Sequence, residues 1–291
     1  MIVIPVAFCF DSRIIMASSI AIKSLIDNAK DNTIYDIRVF HSDLSLELQK
    51  NITTLIEGTR HNIGFHYINP QEFKNAPHNN HSWTEIVYYR FLAPRIMPEY
   101  DKVIYSDVDV LFKGDLQELF LTDISEYEIA AVRCEKMNKK YLQECTNEYI
   151  HYSGLIMFNT KKFREENILN KLQENIILHG DKLKFFDFDL MNITCKNIYP
   201  IPFKYCVLQS LLRVEDIKDA REYPAMSSVY SDDEILDGYK NAVIIHYAGR
   251  PGKPWHFKKP YDDYKEYMQK LPKNLRIVTF RDFRKKLFSK V

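Results

Sequence analysis

The sequence lacks the cysteine spacing that a zinc site or a disulfide framework requires. Its five cysteines are odd in number and widely separated, and no two of them form a C-x-x-C pair. We therefore expect free thiols in a reducing compartment. No apolar run approaches the roughly 18 residues of a membrane span, and the apolar opening, residues 1–10, lacks the basic n-region of a signal peptide. These absences predict a cytoplasmic protein.

An excess of charge of one sign is missing as well. Forty basic residues face 39 acidic ones, giving a formal charge of +1, so no global field indicates a nucleic-acid partner. The 291 residues are 46% hydrophobic and 27% charged, the balance of a globular protein with a sizeable core. No internal repeat or low-complexity segment interrupts the chain. These properties favour one domain with a C-terminal appendage.

Strand-like and helix-like stretches alternate through the first third of the chain. Residues 2–8 form an almost continuous apolar run, typical of a strand buried on both faces of a parallel sheet. A helical stretch rich in isoleucine follows, and the pattern then predicts a strand at 35–40, a helix at 44–56 and a strand at 62–68. This β-α-β-α-β order predicts an α/β sheet with right-handed crossovers.

The remaining elements are predicted from apolar runs and helical periodicity. Strands are expected at residues 102–112, 128–132, 154–158 and 242–245. Helices are expected at residues 84–92, 138–149, 163–178 and 187–193. Ser231, followed by Glu234, has the pattern of a capping box and predicts a short helix before the last strand.

Two carboxylates two positions apart mark the end of a strongly apolar strand. Asp107 and Asp109 flank Val108, and the two-residue period of a strand places both side chains on the same side. Such like charges repel unless a cation lies between or beside them. At the carboxyl edge of a parallel strand, a divalent ion can bridge them to a diphosphate. Acid-x-acid triplets also arise by chance, as Asp187 and Asp189 illustrate, so the motif needs further support.

That support comes from a second strand exit. His246 follows the apolar run 242–245 and precedes a loop that contains Gly249, Gly252, Lys253 and a Pro-Trp pair. Glycines let the backbone approach phosphate oxygens, lysine provides a point charge, and an imidazole can complete a mixed nitrogen and oxygen site. A lone histidine at a strand end is usually structural. The joint pattern is what indicates a site for a metal and a diphosphate.

With these motifs in this order, the chain resembles the retaining glycosyltransferases of family 8, which include bacterial lipooligosaccharide galactosyltransferases and, more distantly, glycogenin. The resemblance implies a GT-A, Rossmann-like fold: a mixed, mostly parallel sheet flanked by helices, with a transferase domain at 1–256 and a basic, partly helical extension at 257–291. The motifs that carry it are residues 4–11, Tyr89-Arg90-Phe91-Leu92, 105–109, Ser153-Gly154 before Phe158-Asn159, Asp187-x-Asp189 with Asn192, and 246–255.

The resemblance also implies a role for each matching residue. Asp107, Asp109 and His246 are implied to bind Mn²⁺, or Mg²⁺ in its place, together with the diphosphate of a UDP-sugar. Asp187 is implied to read hydroxyls of the donor sugar. The implied contacts with the donor nucleotide are Ala7, Asp11, Arg90, Asp107, Val108, Asp109, Gly249 and Lys253. Two plain alternatives stay open, since Arg90 also suits a surface helix and Asp187 also suits a helix N-cap.

The sequence departs from the family on the sugar and acceptor side. Cys134 stands where an aspartate is usual, Tyr152 replaces an asparagine and Phe188 replaces a glutamine, while Arg13 and Ile14 replace an asparagine and an aromatic residue. These changes leave the metal and diphosphate residues intact and make the sugar pocket less polar. We therefore expect a UDP-sugar donor, with glucose or galactose as the hexose.

The resulting hypothesis is Mn²⁺-dependent, retaining hexose transfer to a glycan or lipopolysaccharide-type acceptor. No residue is an obvious nucleophile, so front-face substitution is preferred, with catalysis supported by Arg90, and Asp187 or Asp189 as a covalent nucleophile is the alternative. The competing hypothesis is a non-catalytic relative that binds a nucleotide-sugar or glycan. A sugar-nucleotide pyrophosphorylase is excluded because residues 1–13 are neither glycine-rich nor basic.

The end of the chain carries basic and apolar residues in alternation. From residue 273 onward the single acid is Asp282, and the apolar side chains are spaced as in an amphipathic segment. Such a segment can lie on an anionic membrane surface. An element packed on the domain with solvated lysines is the alternative. The basic residues are Lys273, Arg276, Arg281, Arg284, Lys285, Lys286 and Lys290.

Overall fold

The computed structural model describes residues 1–79, 84–138 and 140–287, apart from the side chains of residues 280 and 281. The strands are β1 (Ile2–Cys9), β2 (Thr33–His41), β3 (Asn62–Tyr67), β4 (Lys102–Ser106), β5 (Val110–Phe112), β6 (Ile129–Lys136), β7 (Tyr149–Asn159), β8 (Ile198–Ile201), β9 (Val207–Leu208) and β10 (Ile244–His246). The α-helices are α1 (Ile15–Asp27), α2 (Leu46–Thr53), α3 (Ala93–Ile96), α4 (Gln117–Leu121), α5 (Thr160–Glu165), α6 (Ile168–His179), α7 (Asp187–Thr194), α8 (Tyr223–Met226), α9 (Asp232–Lys240), α10 (Asp262–Lys270) and α11 (Phe280–Leu287).

A seven-stranded sheet in the order β3-β2-β1-β4-β7-β6-β8 forms the centre of the fold. β1 pairs in parallel with β2 and β4, β2 with β3, and β6 with β8. β7 runs antiparallel to β4 and β6. Helices cover both faces, and this mixed, mostly parallel arrangement confirms the predicted α/β class with its GT-A sheet and C-terminal helices.

The continuous apolar run of β1 reflects burial on both faces of the sheet. Ile4, Val6 and Phe8 belong to the hydrophobic core that includes α1. Ala7 and Cys9 point to the opposite face and join a second core. Successive strand residues alternate between faces, so a strand covered on both sides needs apolar residues at every position.

A second, three-stranded sheet lies beside the first, in the order β5-β10-β9. The prediction of one strand over residues 102–112 is therefore wrong. The chain leaves the large sheet after Ser106, passes through Asp107 to Asp109, and enters β5, which pairs antiparallel with β10. Because both strands are buried, the apolar pattern runs across the break and conceals it.

Three predicted helices also differ in the structure. The described residues of 138–149 form turns instead of a helix, and the Asn138 side chain accepts a hydrogen bond from the amide of Lys140 (3.0 Å). Such bonds between a side chain and a nearby amide compete with helix formation. The helix expected at 163–178 is interrupted at Asn167, which has φ 55°. Residues Glu85–Leu92 form a 3-10 helix.

The capping box before α9 is confirmed, with the Ser231 and Glu234 side chains each bonded to the other's backbone amide. The C-terminal helices pack on the body of the protein. Tyr264, Leu271 and Leu275 are buried, and Asp282 of α11 bonds to His256 (2.6 Å). In the described part of the chain, no helix is both long and apolar enough to cross a membrane. The domain boundary after residue 256 stays a prediction, and Lys290 lies outside the described residues.

Candidate metal and diphosphate site

Two carboxylates and one imidazole converge beside the end of β4. Asp107, Asp109 and His246 each offer one ligand atom, and these three atoms lie within 4.8 Å of one another. The Nε2 atom of His246 is 3.6 Å from Oδ2 of Asp107 and 3.3 Å from Oδ1 of Asp109. Carboxylate oxygens with one imidazole nitrogen suit a divalent ion such as Mn²⁺. The structure thus brings together all three residues that the sequence predicted, and their binding of a metal stays a prediction.

Both sheets hold this cluster in place. Asp107 follows β4 of the large sheet, and its amide donates to the carbonyl of Gly154 in β7 (2.8 Å). Asp109 precedes β5 of the small sheet, and its carbonyl accepts a hydrogen bond from the amide of Tyr247 (2.9 Å). His246 ends β10. The cluster therefore forms where the chain changes sheets.

Gly154 leaves room for the cluster on the β7 side. A Cβ atom at this position would lie 2.6 Å from Cε1 of His246 and 2.9 Å from Oδ2 of Asp107. Neither distance is compatible with a real side chain, so glycine is required by close approach. The Ser-Gly pair singled out in the sequence thus shapes the space in which an ion would be held.

Arg90 is a buried residue that contacts two of the site's acids. It is only 4% exposed. Its Nη2 lies 3.0 Å from Oδ1 of Asp107, its Nη1 lies 3.3 Å from Oδ2 of Asp187, and Nη1 donates to the carbonyl of Ser153 (2.5 Å). The guanidinium also covers the ring of Tyr105 at 4.4 Å. The alternative of a surface cation is therefore wrong, since Arg90 is a buried brace between the two aspartates.

Asp187 is the first residue of α7 and is buried beside Arg90. Burial raises the pKa of its carboxyl to about 6; Arg90 opposes that rise and Asp107 adds to it. The N-cap position belongs to Phe186, so the N-cap alternative for Asp187 is wrong. Arg90 thus links the buried carboxyl of Asp187 to the Asp107 carboxylate of the cluster.

Asp189 lies in a different environment from Asp187. It is fully buried, one oxygen accepts a hydrogen bond from the Tyr141 hydroxyl, and the other accepts from the amides of Lys184 (2.7 Å) and Phe185 (2.9 Å). These bonds fix the turn that leads into α7. Both oxygens are thus engaged within the protein, and a catalytic role for Asp189 stays a prediction that the arrangement does not favour.

A short loop after β10 carries the lysine of the site. The Lys253 ammonium contacts the Asp109 carboxylate and donates to the carbonyl of Tyr247 (3.1 Å). Gly249 and Gly252 have φ of 72° and 128°, values that disfavour other residues. Gln209 fixes the loop, because its amide donates to the carbonyl of Gly252 (2.8 Å) and to that of Ala248.

The charge on Asp109 depends on Lys253 and His246, its neighbours in the cluster. Burial by itself would raise the pKa of Asp109, but the Lys253 ammonium and the His246 ring outweigh it and hold that pKa well below its ordinary value. The Asp109 carboxylate is therefore ionised whenever the cluster is intact.

Three other predicted donor contacts lie at the margin of the cluster. Ala7 is fully buried within β1 and Val108 is 6% exposed, so neither offers a free side chain. The Asp11 carboxylate accepts from the amide of Arg13 (2.9 Å) and forms an ion pair with its guanidinium. Arg13 thus covers the acid expected near the nucleotide. All three donor contacts stay predictions.

Sequence reasoning missed several supporting residues. The Tyr105 hydroxyl donates to Oδ1 of Asp107 (2.6 Å), and Sγ of Cys206 lies 3.5 Å from Nδ1 of His246. Tyr105 could have been singled out as part of the acidic motif. Nothing local in the sequence marks Cys206 or Gln209, because their partners are fixed by tertiary structure alone.

Aromatic rings gather at the departures from the family pattern. The rings of Tyr152 and Phe188 are 6.4 Å apart, and those of Phe185 and Phe188 are 6.2 Å apart. Burial raises the pKa of the neighbouring Cys134 thiol to about 12, although a hydrogen bond with Tyr152 opposes the rise, so the thiol is neutral. This side of the site is therefore apolar and aromatic next to the carboxyl of Asp187.

The solved structures that the chain is similar to show a fold of the GT-A type. The chain is similar to the solved structure of the galactosyltransferase LgtC in complex with donor and acceptor sugar analogs, with a TM-score of 0.76 and 20% identity over 97% of this chain and all of that one. The family follows from the sequence. The model of glycosyl transferase family 8 matches residues 5–259, and the chain belongs to this family.

Two of the similar proteins are named for the transfer of a sugar in lipopolysaccharide. The chain is 26% identical to a lipopolysaccharide 1,2-glucosyltransferase of Escherichia coli, over 86% of this chain and 73% of that protein. It is 27% identical to a lipopolysaccharide 1,3-galactosyltransferase of Salmonella typhimurium, over 86% of this chain and 72% of the relative. Family and relatives together confirm the predicted class of enzyme, a hexosyltransferase.

Proposed function

We propose that this enzyme moves one hexose, glucose or galactose, from a UDP-sugar to a hydroxyl of a saccharide or glycolipid acceptor of the lipopolysaccharide type, with retention of configuration. The observation that carries the proposal is the Asp107, Asp109 and His246 cluster, whose ligand atoms lie within 4.8 Å of one another. This cluster lies next to Lys253 and a glycine loop, the combination that a diphosphate requires.

The cluster suits Mn²⁺, with Mg²⁺ as the alternative. Two carboxylate oxygens and one imidazole nitrogen leave coordination positions for phosphate oxygens, and Gly154 leaves the space beside them open. A bound divalent ion supplies charge that offsets the negative charge developing on the leaving diphosphate. Asp107, Asp109 and His246 would hold this ion.

The chain's own residues orient the donor and stabilise the departing group. Lys253 exchanges its contact with Asp109 for the diphosphate, and the loop amides held by Gln209 add donors. Arg90 keeps Asp107 and Asp187 in position, and Asp187 accepts hydrogen bonds from the hexose. In the reaction the anomeric carbon–oxygen bond to the diphosphate breaks, the acceptor oxygen bonds to the anomeric carbon, and the acceptor proton passes to a phosphate oxygen of UDP.

Retention is best explained by front-face substitution, in which the leaving phosphate takes that proton. Asp187 as a covalent nucleophile is the alternative, because its raised pKa marks it as poorly solvated. Mass spectrometry of the enzyme trapped with a slow donor distinguishes the two. A hexose adduct on Asp187 or Asp189 would replace front-face substitution with double displacement.

Non-catalytic binding of a nucleotide-sugar is the weaker hypothesis. A binding module needs no ion-binding cluster and no lysine aimed at a leaving group, yet Asp107, Asp109, His246 and Lys253 are all present and in contact. The enzyme class established above agrees with transfer.

The test of the proposal is hydrolysis and binding of a panel of UDP-sugars with and without Mn²⁺. We expect one UDP-hexose to bind and turn over only when the metal is present, and Asp109→Asn to abolish both. Asp31→Asn, a change at an exposed acid, serves as the matched control and retains wild-type behaviour. Absence of nucleotide-sugar binding by the wild type would refute the proposed donor.

We also propose that the enzyme works in the cytoplasm and touches an anionic membrane through α11. Phe283 and Leu287 are 53% and 55% exposed on this basic helix. Exposed apolar side chains flanked by lysine and arginine bind such surfaces. Changing both residues to serine should abolish sedimentation with anionic vesicles, whereas Leu121→Ser, at another exposed apolar side chain, should not. Unchanged sedimentation of the double variant would exclude this contact.

A further inference from the structure

Glu222 is an acid whose charge is not balanced within the described part of the protein. Its Oε2 atom is buried and has no hydrogen-bond partner, and no described cation forms an ion pair with the residue. The other acids of the site are paired: Asp107 and Asp187 with Arg90, and Asp109 with Lys253. A buried polar atom without a partner is costly, so this oxygen is available to accept a hydrogen bond from a ligand.

The surroundings of Glu222 belong to the site. A Cβ atom built on Gly249 would lie 3.2 Å from Oε1 of Glu222. Gly249 stands three residues beyond His246, in the loop after β10 that also carries Lys253. Burial raises the pKa of the Tyr152 hydroxyl, the thiols of Cys134 and Cys206 raise it further, and the Glu222 carboxylate adds to the rise. Glu222 therefore lies beside Gly249 and close enough to Tyr152 for its charge to act on that hydroxyl.

The segment that carries Glu222 is fixed to the same part of the fold. The amide of Lys136 donates to Oγ of Ser228 (3.0 Å), and the hydroxyl of Tyr230 donates to the carbonyl of Arg133 (3.1 Å). Both bonds tie residues after α8 to the end of β6, the strand that contains Cys134. The position of Glu222 is thus set by the structure and does not depend on a free surface loop.

Charge decides which part of the substrates Glu222 can contact. A carboxylate beside the loop repels a diphosphate and instead accepts hydrogen bonds from hydroxyl groups. The donor hexose is already assigned to Asp187, which comes from α7. We propose that Glu222 is a specificity-determining residue that accepts hydrogen bonds from hydroxyls of the acceptor saccharide. This inference rests on the proposed transfer of a hexose from a UDP-sugar.

The test separates the acceptor from the donor. UDP-hexose hydrolysis without any saccharide measures donor binding, and transfer to p-nitrophenyl glucosides and galactosides measures use of an acceptor. Glu222→Gln should leave kcat and KM of hydrolysis unchanged while lowering kcat/KM for the glycoside roughly 10- to 100-fold, the effect of losing a hydrogen bond to a charged group. Glu215→Gln, an exposed acid of the neighbouring turn, is the matched control and should match the wild type in both assays.

Monodeoxy glycosides identify the hydroxyl. For the one position that Glu222 contacts, removal of the hydroxyl should reduce transfer by the wild type strongly and transfer by Glu222→Gln hardly at all. An equal penalty in both proteins at every position, or a raised KM for UDP-hexose in hydrolysis by the variant, would overturn the assignment. A wild type that hydrolyses no UDP-sugar would instead refute the proposed function, so the two failures are distinct.

Discussion

Single residues at the site are constrained by distances too short for substitution. Gly154 is the clearest example, because its missing side chain forms one wall of the cluster. Arg90 is another, since one guanidinium contacts two carboxylates and a carbonyl.

Replacing Gly154 with alanine should weaken metal binding. The new Cβ would lie 2.6 Å from Cε1 of His246, so the imidazole must move away from the aspartates. We expect roughly a tenfold or larger loss of Mn²⁺ affinity by calorimetry. Gly114→Ala is the control, because its Cβ would meet Val243 at an ordinary 3.5 Å. Equal Mn²⁺ affinity in wild type and Gly154→Ala would contradict the role given to this glycine.

Replacing Arg90 with methionine should destabilise the fold. The change leaves the Asp107 and Asp187 carboxylates without their buried cation, and breaking such a pair costs about 3 kcal/mol or more of the free energy of unfolding. Urea denaturation measures the loss. Arg95→Met, which removes a half-exposed partner of Glu72, should change the same free energy by less than about 1 kcal/mol. Similar losses of the free energy of unfolding in the two variants would show that Arg90 stabilises the fold no more than an exposed arginine does.

Elements are where sequence and structure differ most. The first five, β1 to β3 with α1 and α2, were predicted because their apolar runs and helical spacing are local signals. The break between β4 and β5 could not be, since both strands are buried and the apolar pattern does not record a change of sheet. The false helix at 138–149 failed for a different reason, because the Asn138 side chain bonds to the nearby amide of Lys140 and the Asn147 side chain bonds to the distant carbonyl of Cys195.

The start of α9 shows an element specified by its own residues. Ser231→Ala removes the side chain that accepts from the amide of Glu234, so the first turn loses its cap. We expect the free energy of unfolding to fall by about 1 kcal/mol in urea denaturation. Ser227→Ala, at an exposed serine outside the cap, should change it by less than about 0.5 kcal/mol. An unchanged free energy of unfolding in Ser231→Ala would mean that packing alone, and not the cap, fixes the start of this helix.

The site divides in the same way between local and tertiary information. Asp107, Asp109, His246 and Lys253 were predictable because each stands in a short motif with a chemical purpose. Glu222 and Gln209 were not, because their positions beside the loop depend on how a distant segment folds back. Arg90 was named from the family resemblance, but its burial between two acids is invisible in a helical pattern.

The molecule as a whole contains several histidines that burial keeps neutral. Burial and the nearby Arg133 lower the pKa of His151 from 6.5 to about 4. Burial also lowers the pKa values of His41, His61 and His66. In the unfolded chain these rings bind protons at higher pH than in the folded protein. Acid should therefore favour unfolding.

Stability should fall as the pH drops from 6.5 towards 4, because over this range the unfolded chain protonates at His151 and the folded protein does not. His151→Leu should lose less over that interval than the wild type, by on the order of 3 kcal/mol. His78→Leu, at an exposed histidine, is the control. The measurement is urea denaturation at a series of pH values, and identical pH profiles for wild type and His151→Leu would contradict the assignment.

Both sheets hold residues of the Asp107, Asp109 and His246 cluster, so a ligand bound there would connect them. Asp107 is anchored to the seven-stranded sheet, whereas Asp109 precedes β5 and His246 ends β10 in the three-stranded one. An ion bound by all three residues would link the two sheets. At an ion concentration of 100 times the dissociation constant, such binding would add about 2.7 kcal/mol to the free energy of unfolding. Slowed amide exchange in β5 and β10 would reveal this link between the sheets, even in an enzyme that has no substrate bound.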